Sequence, residues 1–108
     1  MRQITKEMEK LAAMFIIAMG EWDGVCFVYY PKLPKPFCKN LNVDGHDGDL
    51  LSIRVDPTDY ELSVQFWFMD KEENHFFFTW QTIKEVKPWL NVAVFTHIYD
   101  MIENVKKI

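Results

Sequence analysis

Several functions are disfavoured by what this sequence has little of. It contains four glycines, and none stands in the glycine-rich spacing that binds a phosphate group. Its two cysteines, Cys26 and Cys38, are too few for a disulfide scaffold and are predicted to be reduced thiols. No local motif pairs either cysteine with a histidine as a catalytic nucleophile would require. We find no catalytic motif and predict no cofactor.

Positive charge and long apolar runs are also in short supply. The chain has 12 Lys and Arg against 16 Asp and Glu, a formal net charge of −4. Because nucleic-acid binders place cations on phosphates, this balance argues against direct nucleic-acid binding. The longest apolar run, residues 11–19, is shorter than the roughly 20 residues that cross a bilayer. Glu7 and Glu9 precede it where a signal peptide would be basic, so we expect a cytoplasmic protein without a membrane partner.

Aromatic residues, in contrast, make up 16% of the chain, and many lie between residues 60 and 81. Alternation predicts a strand over residues 60–69, a polar loop at residues 70–74 and a return strand from His75. One face of this hairpin is wholly apolar and comprises Tyr60, Leu62, Val64, Phe66, Phe68, Phe76, Phe78 and Trp80. Burying each such side chain contributes about 1.5–3 kcal/mol, so this face must be covered.

Two segments have helical periodicity. Thr5 is the predicted N-cap of a helix over Lys6–Met19, which Gly20 ends. A second helix is predicted over residues 88–108, with the apolar stripe Leu90, Val94, Ile98, Met101, Val105 and Ile108 and with Asn91 and His97 among its polar positions. The surplus of apolar residues on both helices is compatible with a homodimer.

About four strands are predicted between these helices. Residues 25–30 and 51–55 precede the hairpin, and residues 31–49 form a long loop with a short edge strand near residues 37–43. Residues 82–87 are a connector containing one helical turn. The order α-β-β-β-β-α predicts one α+β domain over residues 1–108. It is a two-layer sandwich, in which both terminal helices pack on one face of an antiparallel sheet.

The loop at residues 40–51 carries the densest cluster of carboxylates. It lacks the final glutamate of an EF-hand loop, because Leu51 stands there. Carboxylate and imidazole ligands for a metal are nevertheless available, at Asp44, His46, Asp47 and Asp49. A metal-dependent enzyme or metal-binding protein using this loop is therefore the alternative function. The simpler prediction is a solvated loop with tight turns at Asp44-Gly45 and Asp47-Gly48.

The outward face of the hairpin carries a second candidate site. Trp67, Met69 and Phe77 lie there, and residues of these types are enriched at the centres of binding surfaces. Two interpretations stay open: these side chains bind a partner, or residues 31–49 fold over them. Flanking glutamates make the face unsuitable for stacking nucleic-acid bases.

We therefore predict a small acidic, non-catalytic protein-binding module of the inhibitor, immunity or adaptor kind, which blocks or bridges a partner protein. The predicted partner-binding residues are Trp67, Met69, Phe77, Asp44, Asp47, Asp49, Glu72 and Glu73. A sharper form of the hypothesis is a decoy that presents carboxylates to a basic, nucleic-acid-binding protein in place of nucleic acid.

Overall fold

The structure, a computed structural model, describes residues 3–106 and contains a six-stranded antiparallel sheet with helices packed on one face. The elements are α1 Lys6–Met19, β1 Glu21–Trp22, β2 Phe27–Tyr29, β3 Leu41–Val43, β4 His46–Val55, β5 Val64–Met69, β6 His75–Thr79, α2 Trp80–Val86 and α3 Pro88–Lys106. The strand order is β1-β2-β4-β5-β6, and β3 pairs with the first part of β4. The predicted α+β class is confirmed, whereas the predicted number of about four strands is wrong.

The two additional strands are short, and only β3 lies where the sequence predicts a strand. β1 has two residues. β3 lies within the predicted edge strand and forms a hairpin with β4. The turn between them has positive φ at Asp44 (52°) and Gly45 (85°), as a two-residue hairpin turn of the primed type requires. The predicted turn at Asp44-Gly45 is confirmed. The one predicted at Asp47-Gly48 is wrong, because both residues belong to β4.

The central hairpin is shorter at both ends than the alternation predicts. β5 begins at Val64, and Tyr60 is fully exposed in the turn before it. Asp59 holds this turn, since its carboxylate accepts the backbone N–H groups of Glu61 (3.1 Å) and Ser63 (3.0 Å). At the other end, Trp80 begins α2 instead of extending β6, although it is buried as predicted.

The covered face of the sheet forms one core with the helices. Phe66 is fully buried, and its ring centroid lies 6.4 Å from that of Phe95 on α3. On β2, the ring of Tyr29 meets Phe15 of α1 edge-on at 5.3 Å. The buried cluster is completed by residues such as Ile16, Ile53, Val55, Val64, Phe68, Leu90, Val94 and Ile98. The prediction that the terminal helices cover the Phe66 face is therefore confirmed.

The helix α1 begins and ends at the predicted residues, and its C-cap residue, Gly20, also lies close to β2. Thr5 caps α1, because its hydroxyl accepts the Met8 N–H at 3.2 Å. Gly20 ends the helix with φ −81°, a value open to any residue. A Cβ atom there would lie 2.5 Å from the Ile16 carbonyl oxygen and 2.8 Å from that of Val28 on β2. Glycine is therefore needed for space where α1 passes β2. The predicted continuation of α3 to Ile108 lies outside the described residues.

Two polar side chains, one on each terminal helix, are buried. Glu9, in the first turn of α1, is 5% exposed, and its Oε2 accepts the backbone N–H of Val64 at 2.9 Å. Burial raises the pKa of Glu9, and the bond from Val64 opposes that rise. Asn91 on α3 is 2% exposed, and its Oδ1 has no hydrogen-bond partner among residues 3–106. No helix in this described range is both long enough and apolar enough to cross a membrane.

Candidate functional site

The sheet face turned away from the helices, here called the outer face, is centred on two stacked rings. Trp67 on β5 and Phe77 on β6 are directly opposite each other in the ladder. Their ring centroids are 4.8 Å apart and their planes are 19° from parallel. Phe77 is 46% exposed and Trp67 is half-buried. The pairing register places both rings where the alternation predicts them.

On the other side of β5, a cation on β4 contacts the Trp67 ring and helps to fix it. The guanidinium carbon of Arg54 on β4 lies 4.4 Å from the Trp67 ring centroid, within cation–π range. Arg54 is itself held by Ser52, whose hydroxyl accepts its Nε at 3.2 Å, and by an ion pair of 3.3 Å with Asp23. Trp67 Nε1 donates to the side-chain oxygen of Gln65 at 2.9 Å. The ring is therefore held in one orientation on a partly exposed surface.

Asp23 links the outer face to the turn between β1 and β2. Its Oδ1 accepts the backbone N–H groups of Val25 (2.8 Å) and Cys26 (2.7 Å), while Oδ2 faces Arg54. The bonds from Cys26 and Val25, together with Arg54, lower the pKa of Asp23. Neither Asp23 nor Arg54 is among the site residues predicted from the sequence. The contact of Arg54 with Trp67 depends on the register between β4 and β5, which no local pattern specifies.

Met69 lies at the acidic end of the same face. It is opposite Asp49 on β4 and His75 on β6. The Asp49 carboxylate accepts the Asn40 N–H at 2.8 Å and pairs with Lys39 at 3.7 Å. Asp47, two residues away on the same side of β4, accepts a hydrogen bond from Asn42 at 2.9 Å. Two of the predicted carboxylates are thus brought to the outer side beside Met69.

The tips of two hairpins enclose clefts beside these carboxylates. The β3–β4 tip (residues 44–45) and the β5–β6 tip (residues 70–74) border a cleft of about 520 Å³, which Asp47, Asp70 and Glu72 line together. A neighbouring cleft of about 370 Å³ extends along Asp49 to Met69. The structure therefore brings Asp47 and Glu72 together, as the binding hypothesis requires.

Asp44 and Glu73 are exposed in the two tips but line neither of these clefts. Asp70, which the sequence analysis treated only as part of a loop, has a larger role. It accepts the backbone N–H groups of Asn74 (2.8 Å) and Glu72 (3.0 Å). The Asn74 bond is the main reason that the pKa of Asp70 is lowered. An aspartate whose carboxylate accepts the backbone N–H two residues later is a recognised sequence signal for a turn.

The alternative metal site is not assembled in this geometry. His46 lies on the helix side of the sheet, where its ring centroid is 5.6 Å from Phe76 and 5.8 Å from Phe78. Asp47 and Asp49 are on the opposite side of β4, because side chains alternate along a strand. Within residues 3–106, no three His, Cys, Asp or Glu side chains are grouped so as to hold a metal ion.

The segment of residues 31–49 leaves the stacked rings uncovered. It contains a turn of 3-10 helix, Lys35–Phe37, and the Phe37 ring lies 5.8 Å from Trp89 on α3. Leu41 and Val43 of β3 are buried in the core. The part of the segment up to Val43 therefore packs on the helix side, and Phe77 stays exposed.

Comparison of the chain with protein-family models, with curated proteins and with solved structures gives no significant match.

Proposed function

We propose that this chain is a small acidic protein-binding module, without catalysis of its own, that docks a basic partner protein on the outer face. The observation that carries the proposal is the partly exposed stack of Trp67 and Phe77, together with the cleft at the loop end of the same hairpin that Asp47, Asp70 and Glu72 line. An inhibitor, an immunity protein or an adaptor acts in this way, by blocking or bridging its partner.

The aromatic pair supplies the centre that such an interface needs. Side chains that contribute most to binding are commonly aromatic or Arg, and they lose little entropy if they are already fixed. Trp67 is fixed by Phe77, by Arg54 and by its bond to Gln65. A partner that covers Phe77 removes the remaining exposed apolar surface of the pair from water, which favours association.

The surrounding charge favours a basic partner. Asp47, Asp70 and Glu72 line one cleft, where Lys71 is the only Lys or Arg, and the whole chain carries a formal net charge of −4. Charge of one sign accelerates encounter with a partner of the opposite sign and suppresses binding to acidic proteins. The decoy form of the proposal follows if the basic surface that docks here is one that otherwise binds phosphates.

The test begins with capture of partners from a host-cell extract by the tagged chain, with Phe77→Ala and Asp47→Asn/Glu72→Gln tested alongside. Tyr60→Ala is the matched control, because Tyr60 is a fully exposed aromatic residue away from the outer face. A partner that depends on the site is then purified, and its affinity is measured by calorimetry at several salt concentrations.

We expect Phe77→Ala to weaken binding by about tenfold or more, as loss of a central anchor does. The double charge variant should bind more slowly and with a smaller dependence on salt. Tyr60→Ala should bind as the unmodified chain does. Equal capture by all variants would show that the outer face is not the site, and an affinity independent of salt would remove the decoy form.

A further inference from the structure

β6 is an edge strand: along the edge turned away from β5, it pairs with no other strand in the described part of the chain. It pairs with β5 on one side, and the sheet order ends there. Among residues 3–106, no backbone hydrogen bond from a turn, loop or cap engages residues 75–79. An unpaired strand edge is a template for another strand, because its N–H and C=O groups are already aligned.

The hydrogen-bonding pattern of the β5–β6 hairpin shows which backbone groups of β6 do not pair with β5. The N–H of Asp70 donates to the C=O of Asn74 at 3.0 Å, so this is a hydrogen-bonded pair. Hydrogen-bonded and non-hydrogen-bonded pairs alternate along an antiparallel ladder. The pair Trp67–Phe77 is therefore not hydrogen-bonded, and the N–H and C=O of Phe77 point away from β5. By the same alternation, those of His75 point away as well.

β6 lacks the features that usually prevent an edge strand from pairing with another chain. Its sequence, HFFFT, has no lysine and no proline, and its register with β5 is continuous, without a bulge. Three consecutive phenylalanines remain partly exposed: Phe77 on the outer face, and Phe76 and Phe78 at the end of the covered face. Such an edge favours pairing with another strand.

We propose that β6 joins two copies of this chain in a symmetric dimer, in which two β6 strands pair antiparallel about Phe77. A two-fold axis through a hydrogen-bonded pair needs a residue whose N–H and C=O both face outward, and Phe77 satisfies this condition. Phe76 then lies opposite Phe78 of the second copy, and His75 lies opposite Thr79. β6 contains no acidic or basic residue other than His75, so like charges do not face each other across the seam.

A second copy suits this edge because the register is self-complementary and the assembly closes at two subunits. The dimer would align the two Trp67–Phe77 stacks on one continuous outer face. Pairing of five residues buries less than the roughly 1,600 Å² of a standard interface, so we expect a reversible, concentration-dependent dimer. Both copies are acidic, so salt should strengthen the dimer, whereas it should weaken docking of a basic partner.

The experiment is sedimentation equilibrium on the full chain over a wide concentration series at low and high salt. His75→Pro removes an outward N–H, and proline is tolerated at the start of an edge strand. Phe77→Lys introduces the residue that guards natural edges. Val25→Lys is the matched control, since it adds the same charge at an exposed apolar residue in the turn between β1 and β2, at the opposite edge of the sheet. Circular dichroism verifies that each variant is folded.

The unmodified chain and Val25→Lys should dimerise with the same affinity, and the two β6 variants should associate at least about tenfold more weakly. In the unmodified chain, hydrogen exchange at the amides of His75 and Phe77 should slow as concentration rises, a measurement that needs no variant. A monomer at every concentration would overturn the proposal. So would a dimer that persists in both β6 variants but is lost in Met14→Glu, because Met14 lies in the apolar groove between α1 and α3.

Discussion

Trp67 and Phe77 stack across β5 and β6 with a centroid distance of 4.8 Å, on the face that the helices leave open. A stacked pair at this position has two consequences. It stabilises the hairpin, and it fixes the orientation of the ring that we propose as the centre of the binding surface. The two effects can be measured separately, because the first requires no partner.

A double-mutant cycle should show the coupling of this pair. Phe77→Ala is expected to lower the free energy of unfolding by about 1 kcal/mol, since the side chain is nearly half exposed and the loss is mainly that of the stack. With Trp67→Ala, the coupling measured by urea unfolding should be about 0.5–1.5 kcal/mol. Phe68→Ala, at a fully buried position of β5, should lower the free energy of unfolding by about 3–5 kcal/mol. Additive effects of Phe77→Ala and Trp67→Ala would contradict the coupling.

Arg54→Lys should cost about 1 kcal/mol although it preserves the charge. The guanidinium reaches Ser52, Asp23 and the Trp67 ring at once, and an ammonium group cannot reproduce that planar fork. Lys6→Ala is the comparison, because the pair Lys6–Glu61 is 4.0 Å apart and largely exposed. It should change stability by less than about 0.5 kcal/mol. Equal effects of the two substitutions in urea unfolding would show that Arg54 is an ordinary surface cation.

These contacts also show how far sequence patterns predict this molecule. Alternation is a local property, so it correctly placed Phe66 and Phe68 on the covered face and Trp67 on the outer face. The contact of Arg54 with Trp67 is not local. A register shift between Leu50 and Ser52 sets which residues face each other, and no pattern within β4 specifies it.

The errors have physical causes of the same kind. Tyr60 fits the alternation of β5, but Asp59 bonds the local backbone and keeps the chain in a turn. The burial of Glu9 is also invisible to a local pattern, because its hydrogen-bond partner Val64 is 55 residues away along the chain. A strand of two residues, such as β1, is too short for a periodicity to be detected.

Gly20→Ala should destabilise the fold more than Gly24→Ala does. A Cβ atom at Gly20 would collide with two carbonyl oxygens of the backbone, which cannot rotate away as a side chain can. We expect a loss of about 1–3 kcal/mol in urea unfolding, as for other overpacked sites. Gly24 has φ 99° and open space around it, so alanine there costs about 1 kcal/mol through its backbone alone. The opposite order would show that α1 and β2 separate easily at this point.

Substitution of Glu9 should change both the stability and its dependence on pH. Glu9→Ala leaves the buried N–H of Val64 without its acceptor and should cost about 1–3 kcal/mol, whereas Glu9→Gln preserves an acceptor oxygen. Burial raises the pKa of Glu9 above its ordinary value of 4.5. At a pH between the pKa of Glu9 in the unfolded chain and its raised pKa in the folded chain, Glu9 is protonated more often in the folded chain. The contribution of Glu9 to the free energy of unfolding therefore falls as pH rises through that interval.

Glu9→Gln removes this contribution, so its stability relative to the unmodified chain should increase from acidic to neutral pH. The aspartates with lowered pKa values, Asp23, Asp56 and Asp70, act in the opposite direction and in more acidic solution. They are common to both proteins, so their effects cancel in the difference. The measurement is urea unfolding of both proteins over a pH series. Parallel stability curves would mean that Glu9 is ionised equally easily in the folded and unfolded chains, and that the bond from Val64 fully offsets the cost of burying its carboxylate.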